Sequence, residues 1–184
     1  MALGATMYVF EIELADSDRG VYESFELRAA RHPSEAPDYL IARLLAYCLE
    51  YTEGISFSNG LSAPDEPAIA VRDLTGAMQV WIDIGAPSPE RLHRASKATP
   101  RVVVYTHKDV VQFVARLRGE RIHRIEALEV YAFDRDLLTS LESILVRRMK
   151  ISLTVMEKHL YVSVGQESFT GVMERIDLTA SSNG

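Results

Sequence analysis

The chain has 184 residues, 47% hydrophobic and 25% charged, so it is long enough for one sizeable core and its composition does not indicate disorder. Its net charge of -6 disfavours a uniformly basic nucleic-acid-binding surface, and its single cysteine, Cys48, excludes a disulfide framework or a cysteine-based zinc site within one chain. No apolar run approaches the roughly 18 residues that span a bilayer, and no signal peptide is recognisable, so we expect a cytoplasmic protein without membrane contact.

The first half of the chain predicts two β-hairpins. Alternating apolar residues over 7–14 and 22–27 flank the turn sequence ADSDRG, which indicates an antiparallel pair. Residues 68–71 and 78–84 flank a second turn, RDLTGA, whose Asp and Gly suit a tight connection. The returning strand of this second hairpin carries the apolar run VWIDIG with one acid inside it.

A helix is predicted within residues 32–54, where apolar residues recur at spacings of three and four. Ser34 or Asp38 can cap its start, and Gly54 can end it. Cys48 lies within the apolar pattern, so we expect it to pack in the core.

From residue 86 onward, helical and extended patterns alternate. Ser88 as N-cap, Pro89 in the first turn and Pro100 as a stop predict a helix, and the apolar strand RVVVYT follows it. The remaining elements are a helix, a strand and a helix, then two or three strands, and they occupy residues 108–120, 124–133, 134–149 and 150–179. We therefore expect a single α/β domain over residues 1–179, with a mixed sheet flanked by helices, and a tail at 180–184.

Acidic residues at one end of the second hairpin are the main candidates for a functional site. Asp65 and Glu66 lie in the turn sequence APDEP just before the first strand, and Asp83 lies near the end of the second, so we expect them at the same end. A hard cation such as magnesium takes one or two carboxylates, with water and phosphate oxygens completing its shell. The alternatives are that APDEP is only a turn and that Asp83 is a lone acid on a half-exposed strand.

Basic residues supply candidate partners for phosphate groups. The helix after the second hairpin carries Arg91, Arg94 and Lys97, and a cation near a metal-bound phosphate can stabilise developing charge or orient the attacking water. The segments Arg116–Arg124 and Arg147–Lys150 concentrate further positive charge and are candidate contacts to nucleic acid. In each case the alternative is an ordinary solvated cationic surface.

The order of short motifs resembles the bacterial YaeQ proteins along nearly the whole chain. The matching stretches are ARHPSE, RLLAY, DEP, WIDIGAPSPERLHRASKA and VVVYT. The resemblance implies a compact cytoplasmic protein of uncharacterised activity whose fold is a variation of the PD-(D/E)XK nuclease core, with extra amino- and carboxyl-terminal strands. That core has a helix, three strands, a helix and a strand, for which the equivalents here are residues 38–53, 55–57, 68–71, 78–84, 88–99 and 101–106.

The same resemblance implies a set of site residues. Asp65 matches the first metal-binding acid, Asp83 matches the acid of the (D/E)XK motif, and Glu50 matches a supporting acid that some members carry on the first helix. Gly85 stands where the motif expects lysine, which leaves Lys97 as the expected replacement, with the two arginines of the same helix as substitutes.

Two functions follow from the resemblance. One is a magnesium-dependent nuclease that hydrolyses phosphodiesters in nucleic acid, with magnesium held by Asp65 and Asp83. The other is a non-catalytic binding or regulatory protein on a degenerate nuclease scaffold, a reading that Gly85 and the acidic net charge favour. The sequence alone leaves open whether the protein is an enzyme.

Overall fold

The computed structural model describes residues 4–58 and 64–179. Contacts divide the chain into two compact units, of which the first comprises Met1–Tyr51 and Phe133–Glu174 and the second comprises Thr52–Ala132 and Arg175–Gly184. Strands and helices both contribute to the fold, so the predicted α/β class is confirmed. The prediction of one domain over residues 1–179 stays a prediction, and the predicted tail at 180–184 lies outside the described residues.

The described part of the chain contains ten strands, four α-helices and one short 3₁₀ helix. In chain order they are β1 (Thr6–Asp16), β2 (Val21–Arg31), α1 (Pro37–Leu49), β3 (Ile55–Phe57), β4 (Ile69–Arg72), β5 (Met78–Ile84), α2 (Pro89–Ala98), β6 (Arg101–Thr106), α3 (Val110–Leu117), the 3₁₀ helix (Ile125–Ala127), β7 (Glu129–Phe133), α4 (Arg135–Ser143), β8 (Arg148–Met156), β9 (His159–Val164) and β10 (Glu167–Ile176). No helix in the described ranges combines the length and apolarity needed to cross a membrane.

The first unit contains a mixed sheet in the order β2-β1-β8-β9-β10. β1 and β2 pair antiparallel over their full lengths, β1 runs parallel to β8, and β8, β9 and β10 pair antiparallel in succession. Phe10, Ile12 and Leu14 alternate along β1 and are buried, as expected for a strand with one core face. The predicted opening hairpin is therefore confirmed, and of the two or three strands predicted at the carboxyl-terminal end the structure has three.

Helix α1 begins one or two residues away from where the sequence suggested. Its N-cap is Ala36, which offers no side-chain cap, so the prediction that Ser34 or Asp38 caps the helix is wrong. Pro37 occupies the first helical position, where the missing N–H removes one orphan donor and the fixed φ favours the helical turn. Burial raises the pKa of the Cys48 thiol to about 12, which agrees with the predicted packing role of this residue.

An arginine, rather than Gly54, completes the carboxyl end of α1. Arg19 donates from Nη2 to the carbonyl of Cys48 and from Nη1 to the carbonyl of Tyr51, each at 3.2 Å. Its Nε donates to Oδ2 of the buried Asp16 at 2.8 Å, which fixes the guanidinium. A cation here meets the unsatisfied carbonyls and the negative end of the helix dipole.

The second unit contains another mixed sheet, in the order β7-β6-β5-β4-β3. β3, β4 and β5 pair antiparallel, which confirms the second predicted hairpin, whereas β5, β6 and β7 are parallel. The parallel strands are joined by α2 and by the segment that contains α3. One face of this sheet packs against these helices through a buried apolar cluster, whose members include Trp81, Leu92, Val102, Val104, Phe113, Leu117 and Val130.

The start of α2 and the end of α4 can be compared with the sequence predictions. Ser88 is the N-cap of α2, where its Oγ accepts from the N–H of Arg91 at 3.2 Å, so that prediction is confirmed. The helix predicted over residues 134–149 is too long, because α4 ends at Ser143 and β8 begins at Arg148. The run VRRM (residues 146–149) continues the charged pattern of the helix, but its last two residues, Arg148 and Met149, already belong to β8 and pair with β1.

Gly54 approaches the neighbouring strand more closely than a side chain allows. It has a φ of +83°, and a Cβ placed on it would lie 1.9 Å from the carbonyl oxygen of Arg72. Its own carbonyl accepts from the N–H of Arg72 at 3.0 Å, so the two backbones are held together. Only glycine combines this conformation with this approach.

We predict that Gly54→Ala lowers the free energy of unfolding by about 3 kcal/mol or more, because the methyl group adds a backbone clash to left-handed strain. Gly76→Ala is the matched control, since Gly76 also has a positive φ but open space around its Cβ position. Its cost is expected near 1 kcal/mol. Urea unfolding of both variants measures the difference, and equal losses would contradict the close approach.

Candidate functional site

Asp83 is buried near the end of β5, where its side chain is 3% exposed. The alternation of the strand places it on the same face as Trp81, beneath helix α2. The alternative that Asp83 is a lone acid on a half-exposed strand is therefore wrong. A carboxylate in this position requires a partner, because an unpaired buried charge is strongly unfavourable.

Arg91, in the first turns of α2, is that partner. Its Nε donates to Oδ2 of Asp83 at 2.8 Å and its Nη2 donates to Oδ1 at 2.9 Å, which forms a bidentate ion pair. The guanidinium carbon also lies 5.1 Å from the ring centroid of Trp81, within the range of a cation–π contact. The planar fork of arginine matches a carboxylate in a way that lysine does not.

The same guanidinium holds the turn before β4. Its Nη1 donates to the carbonyl of Pro64 at 2.9 Å, and its Nη2 donates to the carbonyl of Glu66 at 2.6 Å. No residue type signals these contacts in advance, because backbone carbonyls occur at every residue. Arg91 thereby joins the turn, β5 and α2 at one point, as expected if the turn and Asp83 lie at the same end of the hairpin.

Asp65 lies in this turn but in a different environment. Its side chain is 85% exposed, and its Oδ1 lies 3.6 Å from Nη1 of Arg94, which is itself 60% exposed. An ion pair this exposed contributes little to stability. Helix α2 therefore presents one arginine to each acid, and these two arginines are three residues apart on one helical face.

The other two candidate residues lie elsewhere. Lys97 is exposed in the last turn of α2. Glu50 is the C-cap of α1 in the first unit, is 8% exposed, and donates its backbone N–H to the carbonyl of Ala46 at 3.0 Å. The catalytic roles of Lys97 and Glu50 stay predictions.

The donor set fits magnesium poorly in this arrangement. Both oxygens of Asp83 accept from Arg91, and Asp65 forms an ion pair with Arg94. Within residues 4–58 and 64–179, no three His, Cys, Asp or Glu side chains are grouped so as to hold a metal ion. A hard cation needs carboxylate oxygens that point towards it, and here the guanidinium occupies that position. The metal-binding roles of Asp65 and Asp83 stay predictions.

Gly85, the position at which the family resemblance led us to expect lysine, follows β5 with a φ of +90°. Its N–H donates to the carbonyl of Tyr105 at 2.9 Å. A Cβ at this position would meet only Cε1 of His107, at an ordinary 3.8 Å. Backbone conformation, rather than lack of space, therefore favours glycine here.

Arg124, at the end of the basic segment Arg116–Arg124, stabilises the carboxyl end of α2. Arg124 adopts a left-handed conformation with a φ of +48°, and its Nη2 lies 3.3–3.4 Å from the carbonyls of Ser96, Thr99 and Pro100. It thus serves the carboxyl end of α2 as Arg19 serves that of α1. Arg116 and Arg121 of the same segment are exposed.

Acids on β1 face the other basic segment, Arg147–Lys150. Nζ of Lys150 lies 3.2 Å from Oε1 of Glu13, and Nη1 of Arg148 lies 3.6 Å from Oε1 of Glu11. The hydrogen bond from Lys150 lowers the pKa of Glu13. These pairs reduce the local positive charge, and the nucleic-acid role of both segments stays a prediction.

A second charged group lies where β6 and β7 begin. Nε of Arg101 donates to Oε2 of Glu129 at 2.5 Å, and the hydroxyl of Tyr131 donates to Oε1 at 3.1 Å. Burial alone would raise the pKa of Glu129, but these hydrogen bonds outweigh burial and hold the pKa below its usual range. Sequence reasoning missed this group, although both charges start otherwise apolar strands.

Comparisons with known proteins identify relatives along the whole chain. A family model described as YaeQ protein matches residues 1–172. Proteins described as uncharacterized protein YaeQ from Escherichia coli (strain K12) and Salmonella typhi are each 29% identical over 164 residues, which cover 89% of this chain and 91% of the relative.

Solved structures show the same fold. The crystal structure of YaeQ protein from Pseudomonas syringae matches with a TM-score of 0.84 at 29% identity and covers 94% of this chain and 96% of that chain. The structure of YaeQ protein from Xanthomonas axonopodis pv. citri matches with a TM-score of 0.83 at 30% identity, with coverages of 93% and 97%.

We predict that Arg91→Met lowers the free energy of unfolding by roughly 2–4 kcal/mol, since Asp83 is then buried without its partner. The loss is below that of a fully buried pair because Arg91 is 23% exposed. The double variant with Asp83→Asn should lose less than the sum of the single variants, with a coupling of about 1–3 kcal/mol. Arg94→Met is the control and should cost under about 1 kcal/mol. Additive losses in the double variant would refute the coupling.

The lowered pKa of Glu129 gives a pH prediction. A depressed folded-state pKa contributes stability that is complete above the unfolded-state value and is lost as the pH falls through the folded-state value. Glu129→Gln removes this contribution, so its destabilisation should be largest near neutral pH and should shrink at about pH 3. Denaturant unfolding at both pH values measures this, and a pH-independent difference would contradict the pKa direction.

Proposed function

The chain belongs to the YaeQ family, and from that premise we propose that it is a non-catalytic binding or regulatory protein on a scaffold of the PD-(D/E)XK nuclease type. In this proposal an arginine stabilises the acid that a nuclease would use to hold magnesium. The order α1, β3, β4, β5, α2 and β6 supports the scaffold, since it follows the helix, three strands, helix and strand of that core.

The observation that carries the proposal is the bidentate pair between Asp83 and Arg91. The guanidinium neutralises the carboxylate, satisfies both of its oxygens and binds two turn carbonyls as well. A metal ion would have to compete with this guanidinium for both carboxylate oxygens of Asp83. Arg91 therefore balances the charge of the Asp83 carboxylate permanently, whereas a metal ion would balance it only while bound.

The positions of the remaining candidates also support a binding role. Gly85 supplies no cation at the place of the motif lysine. Lys97 lies six residues after Arg91, which corresponds to about 9 Å along the helix axis. The cation best placed to act on a phosphate near Asp83 is thus already bound to Asp83 itself.

The second candidate is a magnesium-dependent nuclease that acts on phosphodiesters. What favours it is that α2 contacts both acids, Asp83 through Arg91 and Asp65 through Arg94. The two carboxylates therefore lie beside one stretch of helix, as a shared site requires. Asp65 is highly exposed and can change its side-chain position at little cost.

Calorimetric titration of magnesium and manganese into the wild type and Asp83→Asn separates the two functions. We expect no metal-binding heat in either protein and no cleavage of single-stranded, duplex or branched nucleic acids. Glu90→Gln, which changes an acid in the first turn of α2, is the matched control. Metal-dependent cleavage that Asp83→Asn abolishes and the control retains would establish the nuclease instead.

Nucleic acid is the ligand that we propose for the binding role, through Arg116–Arg124 and Arg147–Lys150. Fluorescence anisotropy in the presence of a chelator should then detect binding that weakens with salt. Arg121→Ala, at an exposed position, should reduce the slope of log affinity against log salt by about 1, whereas Arg135→Ala on α4 should leave it unchanged. Absence of salt-dependent binding would exclude nucleic acid as the ligand.

A further inference from the structure

Strand β2 is a long strand with one partner. It spans Val21–Arg31 and pairs with β1 over all eleven of its residues. Among the strands of residues 4–58 and 64–179, β2 has β1 as its sole neighbour and stands at the end of the sheet order. A strand in this position offers backbone N–H and C=O groups along its second edge to another strand.

The orientation of that second edge follows from one hydrogen bond. The carbonyl of Ala30 accepts from Nη2 of Arg43 at 2.8 Å, so it points away from β1. Because successive backbone groups in an antiparallel pair alternate between facing the partner strand and facing outward, Ser24, Glu26 and Arg28 share this outward orientation. The carbonyl of Ala30 is already occupied by Arg43, so the edge offers its centre to another strand, through the N–H and C=O groups of Glu26 and Arg28.

The charged residues of β2 are acidic before the centre of the strand and basic after it. Glu23 and Glu26 precede Leu27, whereas Arg28 and Arg31 follow it. Glu26 and Arg28 are 42% and 69% exposed, with Nε of Arg28 2.8 Å from Oε1 of Glu26. An antiparallel copy of this strand would therefore meet each acid with a base.

We propose that β2 is a dimerisation strand, which pairs antiparallel with β2 of a second copy of this chain about a two-fold axis at Leu27. In this register Glu26 lies opposite the partner's Arg28 and Glu23 lies opposite the partner's Arg31. Glu26 and Arg28 also pair within each strand, so these residues of the two copies form a ring of four charges that alternate in sign. Opposite charges directly across a strand pair stabilise it.

Other registers conflict with the sequence. A shift of the axis by half a residue would set exposed positions of one strand against core-facing positions of the other, which mixes the faces of the sheet. A shift by one residue towards the amino terminus sets Glu26 against the partner's Glu26. A shift by one residue towards the carboxyl terminus sets Arg28 against the partner's Arg28. The charges that would repel a misaligned strand thus select one register.

Side chains on the core face are compatible with the same register. Leu27 and Ala29 are 6% and 1% exposed and point towards the core of the first unit. The register sets Phe25 opposite the partner's small Ala29, and it sets Leu27 opposite the partner's Leu27. An isologous contact of this kind closes after two copies and does not propagate into a fibre.

Sedimentation velocity of the full chain over a concentration series tests the dimer. The wild type should pass from a monomer of 20.6 kDa to twice that mass. Glu26→Arg and Arg28→Glu each place like charges opposite one another twice across the two-fold axis, so each should raise the dissociation constant by about tenfold or more. The double variant restores opposite charges and should recover dimerisation to within a few-fold of the wild type.

Two controls keep the result interpretable. Arg135→Glu reverses a charge on α4, which is not part of the proposed strand pair, and should leave the dissociation constant unchanged. Circular dichroism and thermal unfolding of every variant establish that the fold is retained. A wild type that stays monomeric at every concentration overturns the proposal, and so does a dimer that both single reversals leave unaltered.

Discussion

The ion pair between Asp83 and Arg91 is the interaction on which the candidate site depends. Burying a carboxylate costs several kcal/mol unless it is paired and hydrogen-bonded, and this one is 3% exposed on an apolar strand. The guanidinium can meet it because Ser88 and Pro89 start α2 at the position that aims the first turn at β5. The turn carbonyls of Pro64 and Glu66 accept from two further N–H groups of the same guanidinium, so strand, helix and turn are fixed together.

The same pair constrains the chemistry of this end of the hairpin. A metal ion and a guanidinium compete for the same carboxylate oxygens. They differ in whether water or substrate can still bind beside the carboxylate. A metal keeps open positions for water and substrate, whereas the bidentate arginine directs its donors at protein groups. The carboxylate then stabilises the scaffold rather than a reacting group, and this is the ground on which we propose a binding or regulatory role rather than hydrolysis.

Local sequence patterns predicted most of the fold and less of the site. The bounds of β5 and β6 match the prediction residue for residue, because alternating or continuous apolar runs end at turn residues there, whereas those of β3 match the core strand that the family resemblance implied. The start of α1 was misjudged because Ala36 caps nothing and tertiary packing holds the helix instead. Lys97 was preferred to Arg91 by analogy with a motif, whereas spacing alone does not reveal which cation on a helix faces a given acid. The turn carbonyls carry no residue-type signal at all.

Three arginines in this chain have structural roles, which limits what counts of charge can predict. Arg19 and Arg124 bind carbonyls at the carboxyl ends of α1 and α2, and Arg91 neutralises Asp83. Each uses the planar fork to satisfy several acceptors at once, which a lysine in the same place would do poorly. A basic stretch such as Arg116–Arg124 therefore offers fewer cations to a phosphate backbone than its sequence suggests. The charge that matters for binding is the charge left after helix ends and buried acids have been satisfied, and it is set by the fold.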